Sequence, residues 1–226
     1  LDALGITNKG NAKIQILNHL KETNILPLRY NSPELPILLK IMGFVFGDGT
    51  LVFLKNKKGF VNFYGRASDL ELIRDDLSSI GLTTQKIFSR KRSHEIKTTY
   101  QVVKFEYLEN SLIKKSSGFA TLLVCLGVPA GRKTHKAYRV PKWVMKAPLW
   151  QKRLFLSSLF GAELSKPFMH TKYFCCPQFN MNKSERLVNN GIDFLNDIRV
   201  LLSEFGVQSN YPVFVRGNNY KGKFGN

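Results

Sequence analysis

Between Leu35 and Phe46 nearly every position is apolar, and the run stops at Gly47-Asp48-Gly49. An uninterrupted apolar stretch of that length, opened by Asn31-Ser-Pro-Glu34, predicts a buried helix with a capped start. Gly47 and Gly49 supply the backbone freedom to end it. A weaker copy follows later, Leu154-Phe-Leu-Ser-Ser-Leu-Phe-Gly-Ala-Glu-Leu164, inside a helix predicted from Leu149 to about Ala162 behind Pro148. In each, a carboxylate, Asp48 or Glu163, stands where an apolar helix stops.

The pattern around these helices alternates between periods. Ala12 to Glu22 reads as a helix with Ile14, Ile16, Leu17 and Leu20 as its apolar face and Thr7 or Asn8 as cap. Thr50 to Lys55 and Gly59 to Tyr64 read as a hairpin around Asn56-Lys-Lys-Gly59. Ala67 to Ile80 predicts a helix capped by Ser68 or Asp69, with Leu70, Leu72, Ile73, Leu77 and Ile80 inward. Leu82 to Ser89 and Thr98 to Tyr107 read as strands around a basic loop, Arg90 to Lys97, and Asn110 to Leu126 as a helix. After the second motif come short strands near Phe168 to Lys172 and Tyr173 to Phe179. A helix opened by Asn182 or Ser184 runs to about Phe205, and a strand over Val207 to Arg216 follows. The order α-β-β-α-β-β repeats at long period.

This divides the chain into an N-terminal helical arm or remnant of a preceding module (1–32), a first repeat (33–127), a basic linker (128–147) and a second repeat (148–226) expected to be truncated at its C-terminus. The fold class is mixed α/β (α+β): two pseudo-symmetric αββαββα repeats with the motif helices packed at their join. Gly43 and Gly47, matched by Ser158, Gly161 and Ala162, give the small faces that let two helices approach closely. Asp48 and Glu163 would then lie side by side. Adjacent carboxylates repel unless a cation lies between them. Mg²⁺, which takes one or two carboxylates plus phosphate oxygens and water, answers that need, and such ions can activate water at a phosphodiester.

Charge points to the ligand. With Lys+Arg 34 against Asp+Glu 16, the chain carries +18 and has a pI near 9.9. A folded chain this basic expects a polyanion, and the charges are spread through both halves rather than held in one tail. Lys55, Lys57, Lys58, Arg66, Gln85, Lys86, Arg90, Arg92, Gln101 and Lys104 are the candidate contacts to a sugar-phosphate backbone or to base edges. Cys125, Cys175 and Cys176 form neither a zinc spacing nor a disulfide framework, which suggests a reducing, intracellular setting. No apolar run reaches about 18 residues, so no membrane partner is expected.

Ile41-Met-Gly-Phe-Val-Phe-Gly-Asp-Gly49 and Leu156-Ser-Ser-Leu-Phe-Gly-Ala-Glu-Leu164 resemble the paired motifs of the LAGLIDADG homing endonucleases. The second copy departs from the motif, with Ser158 for its central Gly and Leu164 for its final Gly. The resemblance spans about residues 33–216. It implies a monomeric, intron-homing DNA endonuclease whose sheets form a saddle over double-stranded DNA. It also implies hydrolysis of both strands with two or three Mg²⁺ ions, with Mn²⁺ as a substitute. Asp48 and Glu163 would be the metal ligands, with the carbonyls of Gly47 and Ala162 assisting, and Lys166 a catalytic helper. Arg66 and Asn180 match the polar position that precedes the second helix in such repeats. The alternatives are an RNA maturase that assists intron splicing, with intron RNA as partner, a non-catalytic DNA-binding regulator of the same fold, or an intein stripped of its splicing parts. The expected location is a prokaryotic cytoplasm or an organelle.

Overall fold

A computed structural model describes residues 11–55, 58–97 and 101–215. Lys57, the caps Thr7 and Asn8, and the end of the chain from residue 216 lie outside the described residues. The architecture is mixed α/β, with seven α-helices and a four-stranded antiparallel sheet among the described residues.

Helix α1 (Ala12–Glu22) puts Ile16 and Leu20, four apart on one face, into the core, while Ile14 and Leu17 remain exposed. Thr23 closes the helix by donating from Oγ1 to the His19 carbonyl at 3.0 Å. Helix α2 (Leu35–Phe46) is buried along most of its length, so it has no polar face to show. Helix α3 (Ala67–Ser79) buries Leu70, Ile73 and Leu77 but leaves Leu72 66% exposed, since position 72 falls on the opposite side of the turn. Ser68 donates to the Asp69 carboxylate instead of capping the helix. Gly81, at φ +76°, makes the left-handed exit that a side chain resists.

The sheet runs β1 (Gly49–Phe53), β2 (Gly59–Gly65), β4 (Val102–Lys115), β3 (Phe88–Lys97). Phe63 pairs with Leu112 and Gly49, and Val61 with Leu51 and Lys114. Those side chains form the face covered by helices, and even Lys114 is 8% exposed, its Nζ satisfied by the Thr83 carbonyl at 2.6 Å. Helix α4 (Ser117–Cys125) starts on a true cap, the Phe119 amide donating to Ser116 Oγ at 3.1 Å.

Two expectations change here. The basic segment Arg90 to Lys97 is strand β3, not a loop, and residues 110–115 are strand, not helix. The pattern Asn110-Leu112-Lys114 has the period of a strand, and β3 forms with few apolar residues because its outer face is solvated and its cross-strand partners include Glu109 for Arg90 and the Tyr107 and Phe105 rings for Arg92 and His94. The linker is also less open than its composition suggests. It contains a 3-10 turn (Lys133–His135) and helix α5 (Lys142–Met145), and Val128, Val140, Val144 and Ala147 are buried.

Helix α6 (Leu149–Glu163) follows, then a two-stranded sheet, β5 (Phe168–His170) with β6 (Tyr173–Cys175), and helix α7 (Val188–Ser203). The strand expected after Gly206 does not form among the described residues, and Tyr211, Val213, Phe214 and Val215 are exposed. A single hydrophobic core joins α1–α4 to α6 and α7. Among the described residues no helix is long and apolar enough to cross a membrane.

Candidate functional site

The site is built where α2 and α6 touch. A Cβ placed on Gly43 would come within 2.3 Å of the Phe155 carbonyl oxygen, and one on Gly47 within 2.6 Å of Ala162 Cβ. Both positions therefore require glycine for the helices to lie this close. Ser158 Cβ is also a near neighbour of Gly43. Gly161 is different: a Cβ there would meet nothing within 4 Å, so this glycine faces away from the contact. The close approach carries the ends of both helices to one place, with Asp48 just past α2 and Glu163 as the last residue of α6.

Phe46 anchors that place. Its ring stacks on Phe194 of α7 at 5.9 Å and meets Phe155 of α6 at 5.5 Å and Tyr138 of the linker at 5.7 Å, both edge-on. Four segments thus share one aromatic cluster directly beneath the carboxylates.

Charge at the site is not limited to the two acids. Lys133 Nζ donates to the carbonyls of Val45 (3.2 Å), Phe46 (2.9 Å) and Gly47. The last turn of α2 has carbonyls with no intrahelical partner, and the negative end of its dipole points here, so an ammonium is the natural cap. Burial pushes the Lys133 ammonium below its ordinary range, while Glu163 and Asp48 pull it back up. Asp48 opens onto solvent, yet burial of its carboxyl raises it above the usual carboxylate range, with Lys133 opposing the rise. Glu163 is raised by burial first and by the Asp48 charge second, and lowered by Lys133. The two carboxylates and the lysine therefore form one electrostatic unit. Tyr138 feels it too: burial, then Glu163, push its hydroxyl up to about 12.

An open cleft of about 430 Å³ leads to Asp48, walled by Tyr64, Arg66, Tyr107 and Asn110. Arg66 thus lies at the site's mouth. Lys166 and Asn180 are exposed, beyond the end of α6 and after the short Leu164–Phe179 bridge respectively. Of the strand candidates, Arg90 and Arg92 sit on the sheet face turned from the helices, where both engage Glu109, at 2.6 and 2.8 Å. Lys104 is on the other face, paired with Glu95 at 3.5 Å. Gln85 and Lys86 lie in irregular chain before β3; Lys55, Lys58 and Gln101 lie outside the strands in the two hairpin connections.

Lys133, Tyr138 and Lys183 are missing from the sequence-derived set. The run Arg132 to Lys136 is conspicuous as charge, but period and spacing say nothing about a linker folding back on a helix end. The one available signal is the tight Pro129–Gly131 turn. There Gly131 adopts φ +86° and its amide donates to the Leu51 carbonyl at 2.7 Å, docking the linker against β1.

As to a metal, no group of three or more His, Cys, Asp or Glu side chains converges among the described residues, so a zinc-type cage is not built. Asp48 and Glu163, both destabilised as anions, fit a Mg²⁺-type ion that draws its remaining ligands from water and phosphate. The Gly47 carbonyl, expected to assist, is already bonded to Lys133.

No family model matches the chain. It is 40% identical over 199 residues to tRNA-splicing ligase RtcB of Methanocaldococcus jannaschii, covering 86% of this chain and 20% of that protein. It is 38% identical to tRNA-splicing ligase RtcB of Pyrococcus furiosus, with 86% and 20% coverage. It is 35% identical to DNA-directed RNA polymerase subunit Rpo1N of Methanocaldococcus jannaschii, with 95% and 16% coverage. The chain thus spans about a fifth of the length of the curated relatives it matches first.

These findings correct the sequence reading. No family model supports the LAGLIDADG resemblance, and the relatives named above are tRNA-splicing ligases and an RNA polymerase subunit. The expectations of an intron-homing DNA endonuclease, of hydrolysis of double-stranded DNA as its reaction and partner, and of its maturase and regulator alternatives are set aside. The physical reason is that small residues four apart followed by a carboxylate specify close helix packing and a shared acidic end. They do not specify which polymer binds or which bond changes.

Proposed function

We propose that this chain is a polynucleotide-binding module with RNA as its polymer, and that the Asp48–Glu163–Lys133 cluster handles the phosphodiester group. The observation that carries the proposal is the convergence of one carboxylate from each of two glycine-packed helices with a half-buried lysine, in a chain of charge +18. RNA is favoured because the first two relatives are named for tRNA splicing. The same stretch also matches a polymerase subunit, which supports a unit with its own task inside larger proteins. The three unpaired thiols support an intracellular setting.

The finer architecture belongs to this reading. The units α2–β1–β2–α3 and α6–β5–β6–α7 are related halves that meet along α2 and α6, and the sheet face carrying Arg90, Arg92 and Tyr107 forms one side of a saddle for the backbone. Arg66 meets phosphate at the cleft mouth, and Lys55, Lys58, Lys86 and Lys166 contribute charge without sequence readout. Lys57, Gln85, Gln101, Lys104 and Asn180 are secondary contacts.

At the cluster, Asp48 and Glu163 would hold Mg²⁺, or Mn²⁺ in its place, with the carbonyl of Ala162 nearby. Such an ion, when bound, supplies charge stabilisation to a phosphate oxygen and acidifies water. The chain's own contribution is threefold. The helix contact fixes the two carboxylates, Lys133 places an ammonium beside the phosphate position, and the aromatic cluster beneath excludes water and strengthens each of these charges.

The test is retention of structured RNA against salt. Contact with about six phosphates predicts that affinity falls on the order of 10² to 10³ between 50 and 200 mM salt. Mn²⁺ binding by calorimetry should be lost in Asp48→Asn and Glu163→Gln. A flat salt response would defeat the module reading. Duplex DNA that outcompetes RNA of equal length would overturn the choice of polymer while leaving the phosphate site intact.

A further inference from the structure

We propose that Lys183 is the positioning residue that holds Lys133 in the carboxylate cluster, so that the second half of the chain sets the cation of a site whose acids come one from each half. This rests on the assignment of Lys133 to the phosphate-handling cluster.

The turn that presents Lys133 has little of its own to hold it. It is a single 3-10 turn, Lys133–His135, following the docked Gly131. What fixes it comes from beyond α6. Lys183 Nζ donates to the carbonyls of Lys133 (3.1 Å) and Lys136 (2.7 Å), spanning the turn from its first residue to its C-cap. The next amide, Ser184, donates to the Thr134 carbonyl at 2.9 Å. The same ammonium lies 3.6 Å from the centre of the Tyr138 ring, a cation held by an aromatic face. Tyr138 is in turn locked by two hydrogen bonds to Asn190 of α7, one from its amide and one to its carbonyl, each 3.1 Å. Gly191 makes the approach possible, since a Cβ there would lie 3.0 Å from Lys183 Cγ.

Lys183 therefore has no exposed task that would explain its cost. Burial, with Lys133 adding to it, brings its ammonium down to about 8, and a surface lysine would avoid both penalties. An apolar side chain would pack against Tyr138 equally well but would take the ammonium from the Lys136 carbonyl and leave the Lys133 carbonyl with only the Lys136 amide, at 3.3 Å. The geometry makes sense as a strut: α7 grips Lys183, Lys183 grips the turn, and the turn aims Lys133 across to the end of α2.

The experiment measures how fast each lysine of the 226-residue chain reacts with an amine-selective acylating reagent, by peptide mass spectrometry, without polynucleotide. In the unaltered chain Lys133 should react slowly and Lys166 quickly. Lys183→Met should speed Lys133 by about tenfold or more, the loss of a charged hydrogen-bond pair from the turn. Lys152, buried and ion-paired with Glu204 at 2.5 Å, should not change. Lys183→Arg, which restores cationic donors, should return Lys133 to slow reaction; a residue that merely filled space would be replaced as well by Met as by Arg. Lys183→Gln serves if the Met variant does not fold, with a smaller rise expected. A Lys133 rate within about twofold of the unaltered chain overturns the proposal. So does a rise shared by Lys152, which would signal general loosening. RNA retention is measured separately, so the positioning role and the RNA reading fail independently.

Discussion

The regions that follow α2 and α6 begin alike and end differently. In each, a motif helix leads into a short hairpin and then an amphipathic helix. In the first, β2 pairs with β4 and the sheet reaches four strands, with Leu51, Val61, Phe63 and Leu112 fully buried. In the second, β5 and β6 pair only with each other among the described residues, and Phe168, Met169, Tyr173 and Phe174 are each more than half exposed. The apolar pattern is present in both. What differs is whether a further strand arrives to convert pattern into burial, and a two-stranded hairpin alone gains little from its side chains.

That contrast can be broken by experiment. The largest effect is expected from Phe63→Ala, which opens a cavity in the first half and should cost about 3–5 kcal/mol in chemical denaturation. Phe174→Ala, on the hairpin that follows α6, should cost less than about 0.5 kcal/mol. Equal losses would mean that the second hairpin is covered in solution. Next comes the joint between the halves. Gly43→Ala must push backbone from backbone and should cost about 1–3 kcal/mol, whereas Gly161→Ala gains helix propensity and should stabilise by up to about 1 kcal/mol. A neutral Gly43→Ala would remove the close contact from the explanation of the site.

The smallest effect is electrostatic. Asp48 and Glu163 are raised in the folded chain, so their contribution is fully present below the unfolded carboxylate range and is lost as pH rises through their folded values. Glu163→Gln should therefore be the more stable protein at pH 7, by a few tenths of a kcal/mol after solvent screening, and should lose that advantage near pH 3. An unchanged difference across that range would mean that burial, with the Asp48 charge beside it, does not raise Glu163.

Particular residues show what could be read in advance. The ends of α2 and α6 were legible because Gly47, Gly49 and Pro148 punctuate long apolar runs. The strand β3 was not, because Arg90, Arg92 and His94 draw their stability from Glu109, Tyr107 and Phe105 across the ladder, and a period-2 pattern of polar residues looks like a loop. Asp48 and Glu163 could be singled out because each interrupts a helix. Lys133 could not, since its partners are carbonyls, which carry no side-chain signal. Basic residues carry no signal of which polymer binds, because phosphate chemistry looks much the same on RNA and DNA.

The cap on α2 also sets an order of events in folding. Lys133 reaches the Gly47 carbonyl across 86 residues of chain, so the last turn of α2 has no cation while only its neighbours in sequence have formed. Closing a loop of that length is slow relative to local helix and hairpin formation. The final turn of the organising helix is thus among the last pieces to lock, and it locks only once the linker has found both halves.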